Sequence, residues 1–134
     1  MTDDSDFLRA HHQAILATLR ASGRPQLSRV LAVPDQSGHL RISTPSSTAK
    51  ARNLRRDPRC TLLVLGDNPW HYRVVEGTAR IEDSGDQLLD HLVEYYRAAA
   101  GEHPNWDEYR AAMVNEGRLL AWIHIDRILN PTGA

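Results

Sequence analysis

The chain of 134 residues carries a net charge of −1 and 25% charged residues, the size and composition of one soluble globular domain over residues 1–134. This charge excludes a bulk polyanion binder, and no apolar run approaches the ~20 residues that a membrane-spanning helix needs. The acidic N-terminus does not resemble a signal peptide, and Cys60 is the only cysteine. We therefore expect a cytoplasmic protein with no membrane partner.

The first half of the chain predicts one short helix followed by three strands. Residues 5–12 predict a helix that is capped by Ser5 or Asp6. Strands are predicted at residues 14–20, 26–33 and 39–44. Because Gly-, Pro- and Asp-containing turns separate them, we expect these three strands to form an antiparallel meander.

The second half predicts a helix before Pro58, two later helices and three further strands. The apolar run 60–65 is typical of a strand buried on both faces, whereas 70–82 alternates like a half-buried strand with a bulge at Gly77. The stripe at Leu88, Leu89, Leu92, Val93 and Tyr96 predicts one helix, and that at Trp106, Tyr109, Ala112 and Met113 predicts another. The last predicted strand is 118–126. The whole pattern predicts a mostly-β α+β fold, a six-stranded antiparallel barrel that is closed or nearly closed.

Positive charge is concentrated in residues 46–59, which carry a net charge of +4 although the whole chain is slightly acidic. One compact basic patch favours a small anionic ligand over a nucleic acid, so we expect no nucleic-acid partner. Within the patch, Lys50 is the only lysine of the chain. If Ser47 caps the helix, Lys50 occupies the third helical position, where a capping box has Glu or Gln.

A cation in the first turn of a helix costs ~0.3–1 kcal/mol, because the N-terminal end of a helix carries partial positive charge. Backbone N–H groups, hydroxyl groups and the Lys50 ammonium together would form a site for a phosphate or carboxylate. The alternative is that Lys50 is a solvated surface residue that tolerates the small cost. Local sequence alone leaves both interpretations open.

Four segments of the chain resemble one known family. They are "GRPQLSRV", "ISTPSSTAKARNLRRDPR", "NPWHYRVVEGTARIE" and "AGEHPNWDEYRAAMV". In this order and spacing they resemble the pyridoxamine 5′-phosphate oxidase-like split-barrel superfamily, over residues 10–127. Within it, the chain is most similar to the actinobacterial branch of probable enzymes that depend on the deazaflavin coenzyme F420. "AKARNLRRDPR" is the most specific part of the resemblance.

The resemblance implies an FMN-binding-like split β-barrel and a homodimer with the cofactor at the subunit interface. The cofactor is then F420, with FMN as the alternative, and the substrate is a small molecule. In the family pattern, the segment Gln26–Val30 runs beside the ring system, Ser43 and Thr44 contact the cofactor, and Lys50 holds its phosphate. Trp70 lies near the site, where the partner chain can supply it.

This chain departs from the family pattern at the phosphate. Relatives often carry a second basic residue at the position of Thr48 or Ala49, and this chain has neither; the pair expected for FMN phosphate reads Ala49-Lys50. Arg56 is one possible substitute.

Since Ser28 and Arg29 point to opposite faces of a strand, only one can face the groove, and we expect Ser28. The full set of predicted cofactor-binding residues is Gln26, Ser28, Val30, Ser43, Thr44, Thr48, Lys50, Arg56 and Trp70.

The sequence assigns no catalytic side chain and no metal site. His71 and Tyr72 are candidates for proton donation or substrate stacking, but a rim position and core packing explain them as well. The adjacent His11 and His12 would point about 100° apart on a helix, which is poor metal geometry. A deazaflavin carries hydride chemistry on its own ring, so the predicted function is an F420-dependent oxidoreductase acting on a conjugated or quinone-like substrate. An FMN-dependent pyridoxamine 5′-phosphate oxidase-like enzyme and a non-catalytic F420 carrier are the alternatives.

Overall fold

The computed structural model describes residues 3–131, which form four helices and seven strands. The first part of the chain contains α1 (Asp4–Ala10), β1 (Gln13–Leu19), β2 (Pro25–Leu31), β3 (Val33–Pro34), β4 (Leu40–Pro45) and α2 (Ala49–Arg56). The second part contains β5 (Arg59–Leu65), β6 (Tyr72–Glu82), α3 (Leu88–Ala100), α4 (Trp106–Asn115) and β7 (Arg118–Leu129). Among the described helices, none is long and apolar enough to cross a membrane.

All seven strands belong to one antiparallel sheet with the order β2-β1-β5-β6-β7-β4-β3. Six of them match the six predicted strands, and the seventh is the two-residue β3. Cα atoms of β2 and β4 come within 8 Å of each other although these strands do not pair, so the sheet curls toward a barrel. The prediction of a mostly-β α+β fold is confirmed.

The predicted meander of the first three long strands is wrong. β1 and β2 do form a hairpin, but β4 pairs with β7 on one side and with β3 on the other. The turn at residues 35–38 joins β4 to β3, with Val33 opposite Arg41, instead of joining β4 to β2. β4 is therefore not added next to β2, which among the described strands pairs only with β1. The other side of β1 pairs with β5.

The barrel interior forms the main core, and α3 and α4 cover a second one. Leu16, Ile42, Leu62, Val75 and Ile123 are among the fully buried side chains of the barrel. The second cluster joins both predicted helical stripes to the sheet through Val33, Leu92, Tyr109, Met113 and Leu120, among others. The prediction that β5 is buried on both faces is wrong, since burial alternates along it and only Cys60, Leu62 and Val64 are fully enclosed.

Helix ends follow the predicted chemistry with one change of residue. The α2 helix ends at Arg56, with Asp57 as C-cap before Pro58, as predicted. The cap of α1 is Asp3, whose carboxylate accepts the N–H of Asp6 at 2.7 Å, so neither Ser5 nor Asp6 is the cap. Because Asp4 already has helical geometry, the cap lies two residues before Ser5 and three before Asp6.

Gly77 lies at a register shift between β6 and β7, which confirms the predicted bulge. A Cβ at this position would lie 2.5 Å from Cγ2 of Ile123 and 2.8 Å from the carbonyl oxygen of His124. The second contact is with backbone, so it cannot be relieved by a side-chain rotation. The two long strands can approach this closely only at a residue without a side chain.

We expect Gly77→Ala to lower the free energy of unfolding by about 1–3 kcal/mol, because the new methyl group overpacks the β6–β7 contact. Urea denaturation followed by circular dichroism measures this change. Ser84→Ala, at an exposed loop position after β6, is the control and should change stability little. Equal stability of Gly77→Ala and Ser84→Ala would contradict the bulge geometry.

Candidate functional site

The start of α2 is fixed by Thr48, not by the predicted Ser47. The Thr48 hydroxyl oxygen accepts the N–H of Ala51 at 3.3 Å and lies 3.0 Å from the carbonyl oxygen of Pro45, to which it donates. A second hydroxyl, that of Thr44, lies 3.0 Å from it and holds it in place. Lys50 is therefore the second helical residue, not the third, and it stays in the first turn.

The first turn leaves backbone donors free for a ligand. Helix geometry gives the first N–H groups no intrahelical acceptor. The cap satisfies the N–H of Ala51, and the N–H of Thr48 bonds to Pro45 at 3.3 Å. The N–H groups of Ala49 and Lys50 remain at the positive end of the helix, where an anion is stabilised.

The ammonium group of Lys50 has no hydrogen bond or ion pair with any residue from 3 to 131. Partial burial, together with the charge of Arg118, lowers the pKa of Lys50 below the ordinary lysine value. Both effects disfavour the charged form, and the partial positive charge of the helix start adds a third of the same sign. The site lacks a negative charge at this point.

Arg118 supplies a second cation because of the sheet register. It is the first residue of β7 and lies opposite Pro45, the last residue of β4 and four positions before α2. Its Nη1 lies 3.4 Å from the carbonyl oxygen of Ser43 and 3.5 Å from its hydroxyl, while Nε is 2.9 Å from a carboxylate oxygen of Glu116. One carboxylate thus accompanies two cations, and the local charge is positive.

These groups face a cavity of about 530 Å³, within the size range of small-molecule sites. It lies between the ends of β2 and β4, the first turn of α2, helices α3 and α4, and the start of β7. Its lining residues are Arg29, Val30, Leu31, Ser43, Thr44, Pro45, Lys50, Tyr95, Tyr96, Tyr109, Met113 and Arg118. Four of the predicted residues, Val30, Ser43, Thr44 and Lys50, therefore meet at one cavity.

Gln26 and Ser28 lie away from this cavity. They bond to each other, with Nε2 of Gln26 3.1 Å from the Ser28 hydroxyl, and the side-chain Oε1 of Gln26 accepts from the hydroxyl of buried Thr18 at 3.3 Å. Arg29 lines the cavity and Ser28 does not, while the expectation that Ser28 faces the cofactor groove stays a prediction. The cavity lies at the Leu31 end of β2, where the strand meets α3, and not along its whole inner face.

Three other predicted residues also lie outside the cavity lining. The Arg56 guanidinium donates to the carbonyl oxygen of Leu19 at 2.7 Å and to the side-chain oxygen of Asn53 at 2.8 Å, at the far end of α2. The Thr48 hydroxyl is engaged in the cap. Trp70 is 76% exposed in the turn between β5 and β6, where a second chain can reach it.

Three tyrosines and a methionine form the wall opposite the cations. The Tyr95 hydroxyl donates to the carbonyl oxygen of Leu31 at 2.8 Å, and the Tyr109 hydroxyl donates to that of Leu92 at 2.9 Å. Burial raises the pKa of Tyr95 and raises that of Tyr109 to about 12. Both phenols are neutral at ordinary pH, and their protons are already engaged with backbone. Tyr96, the third tyrosine of the wall, makes no hydrogen bond through its hydroxyl group with residues 3–131.

Sequence reasoning missed Arg118 and the tyrosine wall, and it preferred Ser28 to Arg29 as the residue that faces the groove. Tyr109 was identified as part of an apolar stripe, which describes its packing but not the cavity next to it. The only local sign of Arg118 is that it is the one basic residue between the last helix and the apolar run of β7, and this does not by itself indicate a ligand site. Its place beside Lys50 depends on β4 pairing with β7, which local sequence does not specify.

Comparison with known proteins agrees with this geometry. A family model described as pyridoxamine 5′-phosphate oxidase matches residues 4–130. A protein named F420H(2)-dependent biliverdin reductase, from Mycobacterium tuberculosis, is 28% identical over 131 residues, with 96% of this chain and 87% of that protein covered.

Two solved structures share the fold along nearly the whole chain. A conserved hypothetical protein from Mycobacterium tuberculosis superposes with a TM-score of 0.77 at 26% identity, covering 96% of this chain and 83% of that one. A structure named F420 Reductase gives a TM-score of 0.75 at 20% identity, covering 97% and 99%, a level of identity that shows the fold alone. The name of the 28% identical relative agrees with the resemblance to the F420-dependent branch. Because the family model matches almost every described residue, the chain belongs to the pyridoxamine 5′-phosphate oxidase family.

Proposed function

We propose that this protein is an F420-dependent oxidoreductase that transfers a hydride between reduced F420 and a small conjugated or quinone-like substrate. Two relatives whose names specify F420 chemistry support the choice of cofactor. The name of one of them specifies biliverdin, a conjugated compound, which supports the substrate class. Family membership alone supports a flavin or deazaflavin site.

The observation that carries the proposal is the unpaired Lys50 ammonium beside Arg118 at the start of α2. Its burial and its charged neighbour both favour the arrival of an anion. The phosphate of F420 is such an anion, and the residues present fit it: two cations, two free backbone N–H groups and the Ser43 hydroxyl. Arg118 takes the part of the second basic residue that the helix start lacks, a part that sequence reasoning gave to Arg56.

Bound F420 would supply the hydride chemistry, and the chain would supply binding, orientation and exclusion of water. Lys50, Arg118 and the first turn of α2 hold the phosphate. Val30, with its neighbours on β2, would lie beside the ring system, and the tyrosine wall would cover another side of the bound cofactor. No side chain lining the cavity among residues 3–131 is assigned as an acid or base.

The proposal includes a homodimer in which the cofactor lies at the subunit interface. The cavity is open along β2, where Leu27 is 64% and Leu31 is 45% exposed. A second copy covering this surface would bury both leucines and could bring the exposed Trp70 to the site. Gln26, Ser28, Thr48 and Arg56 are then positioning residues behind the site in each chain, because their polar groups are engaged with one another or with backbone.

The same cavity supports FMN as the second candidate cofactor, since the matched family model is described as pyridoxamine 5′-phosphate oxidase. FMN also carries a phosphate, so the pair Lys50 and Arg118 does not discriminate between FMN and F420. An FMN-dependent oxidase of that type is therefore the alternative enzyme. A carrier that binds F420 without turnover is the alternative that is not an enzyme.

We expect Lys50→Ala to weaken F420 binding by about 10- to 100-fold, because it removes a charge-assisted contact of about 1.5–3 kcal/mol. Quenching of deazaflavin fluorescence measures the dissociation constant. Arg52→Ala is the matched control, because Arg52 is a cation of the same helix whose guanidinium bonds to the Ser47 carbonyl oxygen, outside the cavity. A parallel titration with FMN should give weaker binding than F420. Equal F420 affinity in both variants would contradict the site.

We also expect F420 affinity to fall at alkaline pH, because the phosphate binds the protonated form of Lys50. The pKa of Lys50 is lowered in the free protein and rises when an anion binds. The dissociation constant should thus be flat at neutral pH and increase before the ordinary lysine pKa of about 10.4 is reached. In Lys50→Arg, whose side chain does not titrate in this range, the increase should disappear. Its persistence would show that another group controls binding.

Turnover separates an enzyme from a carrier. Protein loaded with reduced F420 should oxidise it in a single turnover when biliverdin or a quinone is added, faster than free F420 reacts with the same acceptor. Stopped-flow absorbance follows the reoxidation. A carrier should not accelerate the reaction with any acceptor tested. If oxygen reoxidises bound reduced FMN but no acceptor reoxidises bound reduced F420, the result would favour the oxidase.

A further inference from the structure

A cluster of potential metal ligands lies outside the cavity, between α1 and the turn that joins β5 to β6. It consists of His11, Asp67 and His71, each offering one ligand atom, and these atoms all lie within 4.8 Å of one another. His11 is the C-cap of α1, and the other two residues belong to the turn. None of the three lines the cavity that holds Lys50. We call them the His–Asp cluster.

The ring nitrogens of the cluster lack hydrogen-bond partners within the described chain. The nearest contact of His11 is from Nδ1 to a carboxylate oxygen of Asp67 at 3.8 Å, beyond hydrogen-bond distance, and the ring of His71 has none. No fully buried side-chain nitrogen or oxygen of residues 3–131 lacks a partner. The imidazole nitrogens are therefore accessible as well as unpartnered, which leaves them free to bind an ion.

Packing holds the two imidazoles in place. Both rings contact Phe7, with centroids 4.6 Å away for His11 and 4.9 Å away for His71, and the imidazoles themselves lie 5.6 Å apart. The side chain of His11 is only 16% exposed. An element that is already ordered loses little further conformational freedom when it binds a ligand.

The backbone of the turn is built around His71. The N–H of Gly66 donates to the carbonyl oxygen of His71 at 2.7 Å, and the N–H of His71 donates to that of Asn68 at 3.0 Å. A Cβ on Gly66 would lie 2.2 Å from the His71 oxygen and 2.7 Å from its Nδ1. Glycine thus allows the imidazole to lie directly against the start of the turn.

From these contacts we propose that His11, Asp67 and His71 bind a divalent transition-metal ion such as Zn²⁺. Two imidazoles and one carboxylate form a ligand set that suits Zn²⁺, Co²⁺ or Fe²⁺, with water completing the coordination, whereas Ca²⁺ and Mg²⁺ prefer oxygen ligands alone. With neutral histidines the cluster carries one negative charge, which favours a cation. Zinc distances of about 2.0–2.2 Å require the three atoms to move closer, and Asp67, 79% exposed, has the freedom to do so.

The site departs from the expectation that the chain binds no metal. That expectation considered the adjacent pair His11 and His12, whereas the structure joins His11 to His71 across the fold. A bound ion would connect the end of α1 to the β5–β6 turn. The metal should therefore stabilise the folded protein, since it binds a site that the unfolded chain lacks.

Isothermal titration of chelator-treated, full-length protein with Zn²⁺ tests the proposal. We expect one Zn²⁺ per chain, an increase in Tm with zinc, and no comparable effect of Mg²⁺. Binding should weaken by at least about 10-fold in His11→Ala, His71→Ala and Asp67→Asn. His12→Ala is the matched control and should bind like the wild type, because His12 directly follows a ligand but its Nε2 contacts the Arg9 carbonyl oxygen instead.

Absence of wild-type zinc binding, or binding that survives both His11→Ala and His71→Ala, would overturn the proposal. Should a histidine variant fail to fold, Asp67→Asn decides the question, since its exposed side chain supports little of the fold. In that variant the visible bands of bound Co²⁺ should be lost or shifted relative to the wild type. An unchanged Co²⁺ spectrum would overturn the assignment of Asp67 and with it the three-residue site.

Discussion

The account of this protein depends on one feature: the Lys50 ammonium group has no hydrogen-bond or ion-pair partner within residues 3–131. Partial burial, the charge of Arg118 and the positive end of α2 all act against the ammonium, and Glu116, the nearby carboxylate, is engaged by Arg118. A single bound anion would reverse all three effects at once. The position of Lys50 therefore adds no ion pair to the described part of the free chain, and the proposal of an anionic ligand rests on this position.

The curled sheet creates this situation. Pairing of β4 with β7 sets Arg118 opposite Pro45, four residues before α2 begins. Thr44 and Thr48 then link the end of the strand to the helix cap through their hydroxyl groups, which lie 3.0 Å apart. The helices α3 and α4 cover the other side of the cavity with three tyrosines, and the hydroxyl groups of Tyr95 and Tyr109 donate to backbone carbonyl oxygens. A rigid apolar wall and a positive end together favour an anionic ligand that also carries a flat ring.

Local patterns predicted the elements well, because the residues that cause them lie close together in sequence. Pro58 ends α2, Gly77 marks the bulge, and the apolar stripes of α3 and α4 lie on the buried sides of both helices. The helix caps were misplaced by one residue or more, since several adjacent Ser, Thr and Asp side chains could each serve. The resemblance to a known family identified Ser43, Thr44 and Lys50, which the structure brings to one cavity.

Contacts between distant segments could not be predicted in this way. β4 pairs with β7 on one side and with β3 on the other, and the two-residue β3 is too short to leave a periodic signal. Arg118 lies at the site because β4 pairs with β7. Arg56 lies outside it because its guanidinium donates to the Leu19 carbonyl oxygen at the far end of α2. His11 and His71 likewise meet only because α1 packs against the β5–β6 turn.

The most direct test uses the fact that Lys50 is the only lysine of the chain. Labelling lysine with ¹³C and ¹⁵N gives one side-chain ammonium signal, and its pH titration by NMR reports the pKa of Lys50 without ambiguity. The account predicts a pKa below the ordinary lysine value in the free protein and a marked rise with saturating F420. An ordinary pKa that does not change when F420 binds would contradict the central claim.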